Sequence, residues 1–222
     1  MKQKAVFPNI AKDMYQEQMK WTIWYLAFVL FAQIAHIILV YYSIYDDSTV
    51  RGFLTFLFDS AKVYMMVIGV ISVYSFLSYY VGQGVTRKDY FKGSVLAALG
   101  LTVTIILLST VFTYLQYGAL EMFQLSHLLS DEFLDGNRWD LMIHYLLSIF
   151  IYYLSGYLVG VGFYRYHWIA GLGFIAFFLL SVSALEWSLK YSFGLSVVSS
   201  MIVIAVFLTL LRQFTKSIAV KL

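Results

Sequence analysis

Six stretches of this chain contain no Asp, Glu, Lys or Arg, and short polar segments separate them. The stretches are 21–45, 63–86, 93–120, 141–164, 166–185 and 191–211. Each has 20 residues or more, and about 20 apolar residues are enough for a helix to cross the hydrocarbon core of a bilayer. Because the apolar positions run on continuously instead of alternating, the pattern excludes a transmembrane β-barrel.

The pattern therefore predicts an all-α, polytopic membrane protein with six transmembrane helices. We place them at about 21–42, 61–81, 94–115, 141–162, 168–185 and 193–211. Trp21, Trp24 and Tyr42 lie near the ends of the first span, as in the aromatic belts of membrane interfaces. No segment outside the spans is long enough to form its own core, so residues 1–222 are predicted to form a single transmembrane domain.

The segment 1–20 is polar and precedes the first span. Within it, residues 9–20 place Ile10 and Met14 on one side and Lys12 toward water, which predicts an amphipathic helix lying on the membrane surface. A frayed polar leader is the alternative. We expect no cleavable signal peptide, because the first apolar run is too long for a signal core.

A second polar segment, 116–140, is the longest between predicted spans. Its first part, 119–129, contains too many apolar residues for a free loop, which favours an amphipathic helix on or dipping into the outer leaflet. Residues 135–137, Asp-Gly-Asn, form a predicted turn. Asp59 and Lys62, three residues apart at the start of the second span, are expected to form an ion pair.

The distribution of Lys and Arg predicts the orientation. The side that holds both termini and the segment 82–93 has 11 of these residues, and the other side has four. Because positively charged residues stay in the cytosol, both termini and residues 82–93 are predicted to be cytosolic, and 116–140 is predicted to be on the outside. The predicted location is the cell membrane, and we expect it to be a bacterial plasma membrane.

The composition and motif content of the chain limit the kinds of catalytic or metal-binding site that it can form. The chain is 61% hydrophobic and 12% charged, with a mean hydropathy of +0.78, whereas soluble domains are about 25% charged. It has no cysteine, and its histidines lack the HExxH spacing of a zinc site; they are His36, His127, His144 and His167. No serine-hydrolase elbow or P-loop is present. We therefore predict no catalytic residue, no metal site and no cofactor bound by this chain.

Polar residues inside the predicted spans have two interpretations. Gln33 and His36 lie three residues apart on the first span, and Thr102 and Thr104 belong to a hydroxyl-rich part of the third. They either face a substrate path or form hydrogen bonds between helices, which contribute on the order of 1 kcal/mol in membranes. The second interpretation is favoured for both sets.

Glycines in the fourth span predict close helix contact. Gly156 and Gly160 form a GxxxG motif, which Gly162 follows, and such small residues let two helix backbones approach. The contact is either internal, which we favour, or at the seam of a homodimer. Gly171 and Gly173, near the start of the fifth span, are expected to pack against it.

The polar segment 82–93 has features that a solvated linker does not need. Its glycines permit backbone angles that other residues avoid, and Thr86 with Asp89 three residues later predicts a capped helix start. Arg87 and Lys88 are expected to face water or a partner. A plain polar linker is the alternative.

Residues 84–91, Gly-Val-Thr-Arg-Lys-Asp-Tyr-Phe, resemble the coupling helix of the membrane subunits of type-2 ABC exporters. That segment often has the pattern Gly-(aliphatic)-(Ser/Thr)-Arg-(Lys/Arg)-x-x-Phe, and six spans with cytosolic termini are common in the family. The amphipathic segment 9–20 resembles the family's entry helix. The resemblance assigns coupling to an ATPase to Gly84, Val85, Thr86, Arg87, Lys88, Tyr90 and Phe91.

The resemblance implies a non-enzymatic permease subunit, in which ATP and Mg²⁺ are bound by a separate ABC ATPase chain. Arg87 and Lys88 would meet acidic groups on that ATPase, and Tyr90 and Phe91 would fill an apolar pocket. The other implied partners are a second permease copy or a paralogue and the lipid bilayer, with no nucleic acid. Implied substrates include amphipathic drugs and peptide antibiotics.

One feature departs from the family. Its members often carry an outer hairpin between spans 5 and 6, whereas the long outer segment here lies between spans 3 and 4, which suggests a small, divergent branch. Two other functions are open: a membrane scaffold or sensor whose basic turn binds a cytosolic regulator, and an intramembrane lipid-modifying enzyme.

Overall fold

A computed structural model describes residues 6–42, 50–125, 128, 137–165, 168–189 and 192–216. Almost all of them are helical, and no β-strand is found among them. The helices are α1 (Phe7–Tyr41), α2 (Phe53–Gly82), α3 (Arg87–Met122), α4 (Arg138–Arg165), α5 (Trp168–Leu189) and α6 (Phe193–Lys216). The all-helical prediction is therefore confirmed for these residues.

Five of these helices, α1, α2, α3, α4 and α6, are long and apolar enough to cross a membrane. In α5 the apolar part found among the described residues is shorter, Gly171–Ala184. Large apolar side chains project outward along the bundle; on α1 they include Trp24, Phe28 and Phe31, each more than 70% exposed. Such an apolar exterior is the surface expected of a multi-pass helical membrane protein.

The amphipathic segment 9–20 is not a separate surface helix. It forms the first part of α1, which continues without a break to Tyr41. The expected sides are present, since Ile10 and Met14 are buried and Lys12 is exposed, but the apolar side packs against α3 rather than lying on the membrane. A Cβ built on Gly93 of α3 would lie 2.8 Å from Ile10, so the protein itself covers this face.

Helix α4 lies at the centre of the bundle. In its most apolar window 78% of the residues are buried, compared with 22% in the windows of α1 and α6. Its closest neighbour is α2. A Cβ on Gly156 would overlap the carbonyl oxygen of Met66, and one on Gly69 of α2 would overlap that of Tyr153. The two backbones therefore touch, and only glycine fits at either position.

The GxxxG contact is internal. Gly160 also faces α2, at Val70 and Val73. Gly171 packs beside this glycine stretch as expected, because its Cα lies 3.3 Å from a Cβ built on Gly162, and it also contacts Phe163 near the end of α4. Gly173 has no atom within 4 Å of a Cβ and is exposed, so the expectation for this residue is wrong. The two glycines are two residues apart and therefore lie on different faces of α5.

Helix α3 extends beyond the predicted span 94–115 at both ends. At its C-terminal end it includes the first part of the segment 119–129, so that part continues α3 and is not a separate helix. It ends at Met122, after which Gln124 adopts φ 59° and Leu125 donates a backbone hydrogen bond to Leu120.

The predicted turn at 135–137 lies partly outside the described residues, and His127 and His167 lie wholly outside them. The Asp59–Lys62 ion pair is confirmed at 2.6 Å.

Candidate functional site

The turn between α2 and α3 has the capped geometry that the sequence predicts. Gly84 adopts φ +85°, a conformation that side chains disfavour. The Thr86 hydroxyl accepts a hydrogen bond from the backbone N–H of Asp89 at 3.1 Å, and it donates one to the Asp89 carboxylate at 2.8 Å. Thr86 is thus the N-cap of α3, and the turn enters the helix in one fixed direction.

The surface of this turn is polar and basic. Residues 82–84, Thr86 and Lys88 are exposed, whereas Arg87 and Asp89 are half-buried. Lys88 is on the first turn of a helix and projects into solvent at one end of the bundle. We call this end the turn end; it also holds the start of α1 and the end of α6, because Phe7 and Arg212 lie beside residues of α3 here.

Tyr90 does not face a partner. Its side chain is fully buried, and its hydroxyl donates a hydrogen bond to the carbonyl oxygen of Ser72 in α2. The expectation that it fills a pocket on another protein is therefore wrong. The reason is the position of Tyr90. It lies one helical turn after the N-cap Thr86, and its side chain points toward α2.

Phe91 is half-buried and contacts both the interior of the bundle and a groove on its outside. Its ring meets Tyr157 of α4 edge-on, with the ring centroids 6.3 Å apart, and it also lines a groove on the outside of the bundle. Most of the apolar contact expected with a partner is thus made within this chain.

Beneath the turn lies a buried polar group that we call the tyrosine cluster. Its members come from α1, α2, α3, α4 and α6 and are fully buried; they are Gln18, Ser72, Tyr90, Ser94, Tyr153, Tyr157 and Thr215. The Tyr153 hydroxyl lies 3.2 Å from the Ser72 hydroxyl and 3.4 Å from the Ser94 carbonyl oxygen. The Thr215 hydroxyl lies 3.5 Å from that of Tyr157.

Ser72 is the centre of this cluster and the first residue of a π-helical turn, Ser72–Phe76, within α2. Its hydroxyl donates to the carbonyl of Ile68 at 2.9 Å, and the Gln18 amide reaches it at 3.4 Å. Its carbonyl accepts from Leu77 N–H as well as from Tyr90. π-helical turns inside α-helices often occur at functional sites because they shift the helix register.

Sequence reasoning missed the tyrosine cluster. A signal was present, because Tyr153 lies near the middle of the predicted span 141–162, away from the interfaces where tyrosines usually anchor. A tyrosine at that depth needs a hydrogen-bond partner within the protein. Ser72 and Ser94 gave no such signal, since single serines are common in helices that cross membranes.

The other polar candidates make contacts within the chain. Gln33 donates to the carbonyl of Arg51 at 2.8 Å, and the ring of His36 lies 5.8 Å from that of Phe56. Thr102 bonds the carbonyl of Ala98 in its own helix at 2.9 Å. These are packing contacts, and a substrate path through them stays a prediction.

Thr104 and Thr113 of α3 also reach neighbouring helices. The Thr104 hydroxyl lies 2.9 Å from that of Tyr15 in α1. The Thr113 hydroxyl accepts a hydrogen bond from the backbone N–H of Leu54 at 2.8 Å, so it satisfies a free donor at the start of α2. The hydroxyl-rich part of α3 therefore connects α3 to both preceding helices.

A cavity of about 610 Å³ opens between α1 and α2 at the turn end. Its wall is largely aromatic and includes two carboxylates, of which that of Glu17 forms an ion pair with Lys20 at 2.6 Å. The residues that line it include Asp13, Glu17, Trp21, Phe76, Tyr79 and Tyr80. The cavity lies near the tyrosine cluster, because Phe76 in its wall and Ser72 of the cluster belong to the same π-helical turn. Within the described residues, no group of three or more His, Asp and Glu side chains is arranged to hold a metal ion.

Comparison with known proteins adds no relative to this description. No protein-family model, no curated protein and no solved structure matches the chain. The turn, the tyrosine cluster and the cavity are therefore the features that point to a function.

Proposed function

We propose that this chain is the membrane-spanning permease subunit of an ATP-driven ABC exporter. A separate ATPase chain hydrolyses ATP, and a second permease chain completes the assembly. The observation that carries the proposal is the position of the turn. Its basic surface is open to a partner, while Tyr90 anchors the first helical turn of α3 to the bundle.

This arrangement suits the transmission of force. A partner that displaces Arg87 and Lys88 moves the start of α3 as a rigid body, because Thr86 caps that helix. Tyr90 then pulls on the π-helical turn of α2 through the Ser72 carbonyl. Ser94 and Ser72, both in contact with Tyr153, pass the displacement to α4. Small shifts at such a junction tilt whole helices when packed interfaces have two arrangements.

In this proposal all six helices cross the membrane, with both termini and the turn in the cytosol. The excess of Lys and Arg on that side supports the orientation. For α5, support comes from its packing against both α4 and α6. Phe174 lies against Gly162, Phe178 meets Tyr152 at 5.1 Å between ring centroids, and Phe177 meets Phe207 of α6 at 5.6 Å.

An amphipathic substrate is supported by the cavity between α1 and α2. Its largely aromatic wall offers stacking and apolar contact, and the carboxylates of Asp13 and Glu17 also line it. A drug or peptide antibiotic with an apolar body and a polar group would match this division. We propose export from a bacterial plasma membrane on the basis of the resemblance of residues 84–91 to the coupling segment.

Charge reversal at the turn tests the proposal. In the variant Arg87→Glu/Lys88→Glu, an ATP-hydrolysing subunit that copurifies with the wild-type chain is expected to be lost. Reversing charges that meet a complementary surface costs about 2 kcal/mol or more, which is roughly a 30-fold loss of affinity. The fold should persist, because acidic side chains are favourable in the first turn of a helix.

The matched control is Lys12→Glu. It reverses an exposed positive charge on α1, outside the turn. This control should retain the ATPase. Copurification that is equal for the turn variant and the control would contradict the proposal. A wild-type chain that brings down a cytosolic protein without ATPase activity would instead favour the scaffold or sensor function.

A further inference from the structure

A groove of about 440 Å³ runs along the outside of the bundle at the turn end, where α3 and α6 meet beside the start of α1. Apolar side chains form almost all of its wall: Phe7, Phe91, Val95, Leu96, Leu99 and Leu208. Leu96 and Leu99 are more than 40% exposed, so the groove opens toward the surroundings of the bundle rather than into it.

Two cations lie in the same groove. Lys92 is six residues into α3, and Arg212 is in the last part of α6, so both belong to the turn end. Both are exposed, and no Asp or Glu lines the groove. In the part of the chain that the structure describes, neither cation forms an ion pair. Lys92 Nζ instead lies 5.5 Å from the centre of the Phe7 ring.

The nearest acidic residue on α3 is Asp89, one helical turn before Lys92. Its carboxylate accepts a hydrogen bond from the Thr86 hydroxyl, and Asp89 does not line the groove. The groove therefore has a positively charged end and an apolar length that follows α3 away from it, through Leu96 to Leu99.

We infer that this groove binds an anionic phospholipid, with Lys92 and Arg212 on the phosphate-containing head group and the apolar wall along an acyl chain. The charge complementarity selects this occupant. A zwitterionic lipid carries a compensating cation next to its phosphate, and a second copy of this chain would have to bring an acidic side chain to the cations. Basic residues at a membrane surface attract anionic head groups by about 1 kcal/mol each.

The inference does not depend on the proposed exporter function, because it concerns a different surface from Arg87 and Lys88. Cations that lie at the end of an apolar helix face are also a common way to hold a helix at the interface. The groove differs from that general case because two helices contribute one cation each and the apolar wall between them is concave.

Lipid titration of the purified full chain, followed by native mass spectrometry, tests the inference. Dioleoylphosphatidylglycerol and dioleoylphosphatidylcholine have the same tails and differ in head-group charge. We expect the first to bind roughly 25-fold more tightly, because two cations act on it at about fivefold each. The variant Lys92→Gln/Arg212→Gln should lose most of that preference, and each single variant about fivefold.

Two further variants keep the test decisive. Lys12→Gln/Lys88→Gln removes two exposed cations that do not line the groove and should leave the preference unchanged. Leu96→Trp fills the groove from an exposed position and should weaken phosphatidylglycerol binding with both cations intact. Equal affinity for the two lipids, an equal loss in the two double variants, or a dimer that buries the groove and excludes lipid would each overturn the inference.

Discussion

Tyr90→Ala is expected to lower the free energy of unfolding by about 3–5 kcal/mol. The side chain is fully buried between α2 and α3, and removing an aromatic ring from such a site leaves a cavity of that cost. The hydroxyl that joins α3 to the π-helical turn is lost as well. Unfolding in a denaturing detergent, followed by tryptophan fluorescence, measures the change.

Two companion variants separate packing from hydrogen bonding. Tyr90→Phe keeps the ring, and the Ser72 carbonyl keeps the Leu77 N–H, so we expect a loss of only about 1 kcal/mol. Tyr79→Ala removes a ring that is 60% exposed near the same end of α2, and it should change the stability little. If Tyr90→Ala were no more destabilising than Tyr79→Ala, the tyrosine cluster would not hold the turn in place.

Gly156→Ala is expected to lower the free energy of unfolding by about 2 kcal/mol. The added methyl group would overlap the Met66 carbonyl oxygen, so α2 and α4 must separate, and overpacking of this kind costs about 3 kcal/mol. The higher helix propensity of alanine offsets about 1 kcal/mol of this loss. The same denaturation measurement applies.

The matched control is Gly173→Ala in α5, where a Cβ meets no atom within 4 Å. Here only the propensity gain remains, and we expect a stability unchanged or raised by about 1 kcal/mol. Equal effects at Gly156 and Gly173 would mean that the contact between α2 and α4 is looser than the structure describes. A changed oligomeric state in Gly156→Ala, with unchanged stability, would point to a homodimer seam.

Local signals in the sequence predicted local structure well. Thr86 with Asp89 at the third position is a capping pattern, and the expected hydrogen bond from the Asp89 backbone N–H to the Thr86 hydroxyl is present. The same holds for Asp59 and Lys62, because residues three apart on a helix are adjacent whatever surrounds them. The turn between α2 and α3 and its cap are therefore predictable from a few consecutive residues.

Helix ends were harder to predict. The absence of charges marks the part of a helix that can cross a membrane, but a helix does not stop where charges begin. Helix α1 includes Lys12 and Lys20 because the protein covers one of its faces and water solvates the other. With 35 residues it is about 52 Å long, well beyond a hydrocarbon core of about 30 Å.

Contacts between distant segments were the least predictable. Gly156 and Gly160 indicated a close approach, but the part of α2 that faces them contains a single glycine, Gly69, and no motif. The resemblance to the coupling helix assigned Tyr90 to an apolar pocket on a partner, and only its rotation about α3 reveals that it faces Ser72. Tyrosine suits a buried hydrogen bond and an exposed interface equally well, so the sequence alone does not separate the two.

We propose that the exposed basic surface of residues 84–91 is the docking point for an ATP-driven partner. The chain has no cysteine, so Lys88→Cys introduces a single thiol, and Lys88 is exposed on the turn. The most direct measurement attaches a photo-activated cross-linker to that thiol in native membranes and identifies what it captures, with and without a non-hydrolysable ATP analogue.

We predict labelling of Lys88→Cys only from the cytosolic side and a cross-link to a nucleotide-binding subunit, whose yield changes when the analogue is bound. Labelling from outside, or capture of no ATP-hydrolysing protein from membranes in which the chain is active and intact, would contradict the account.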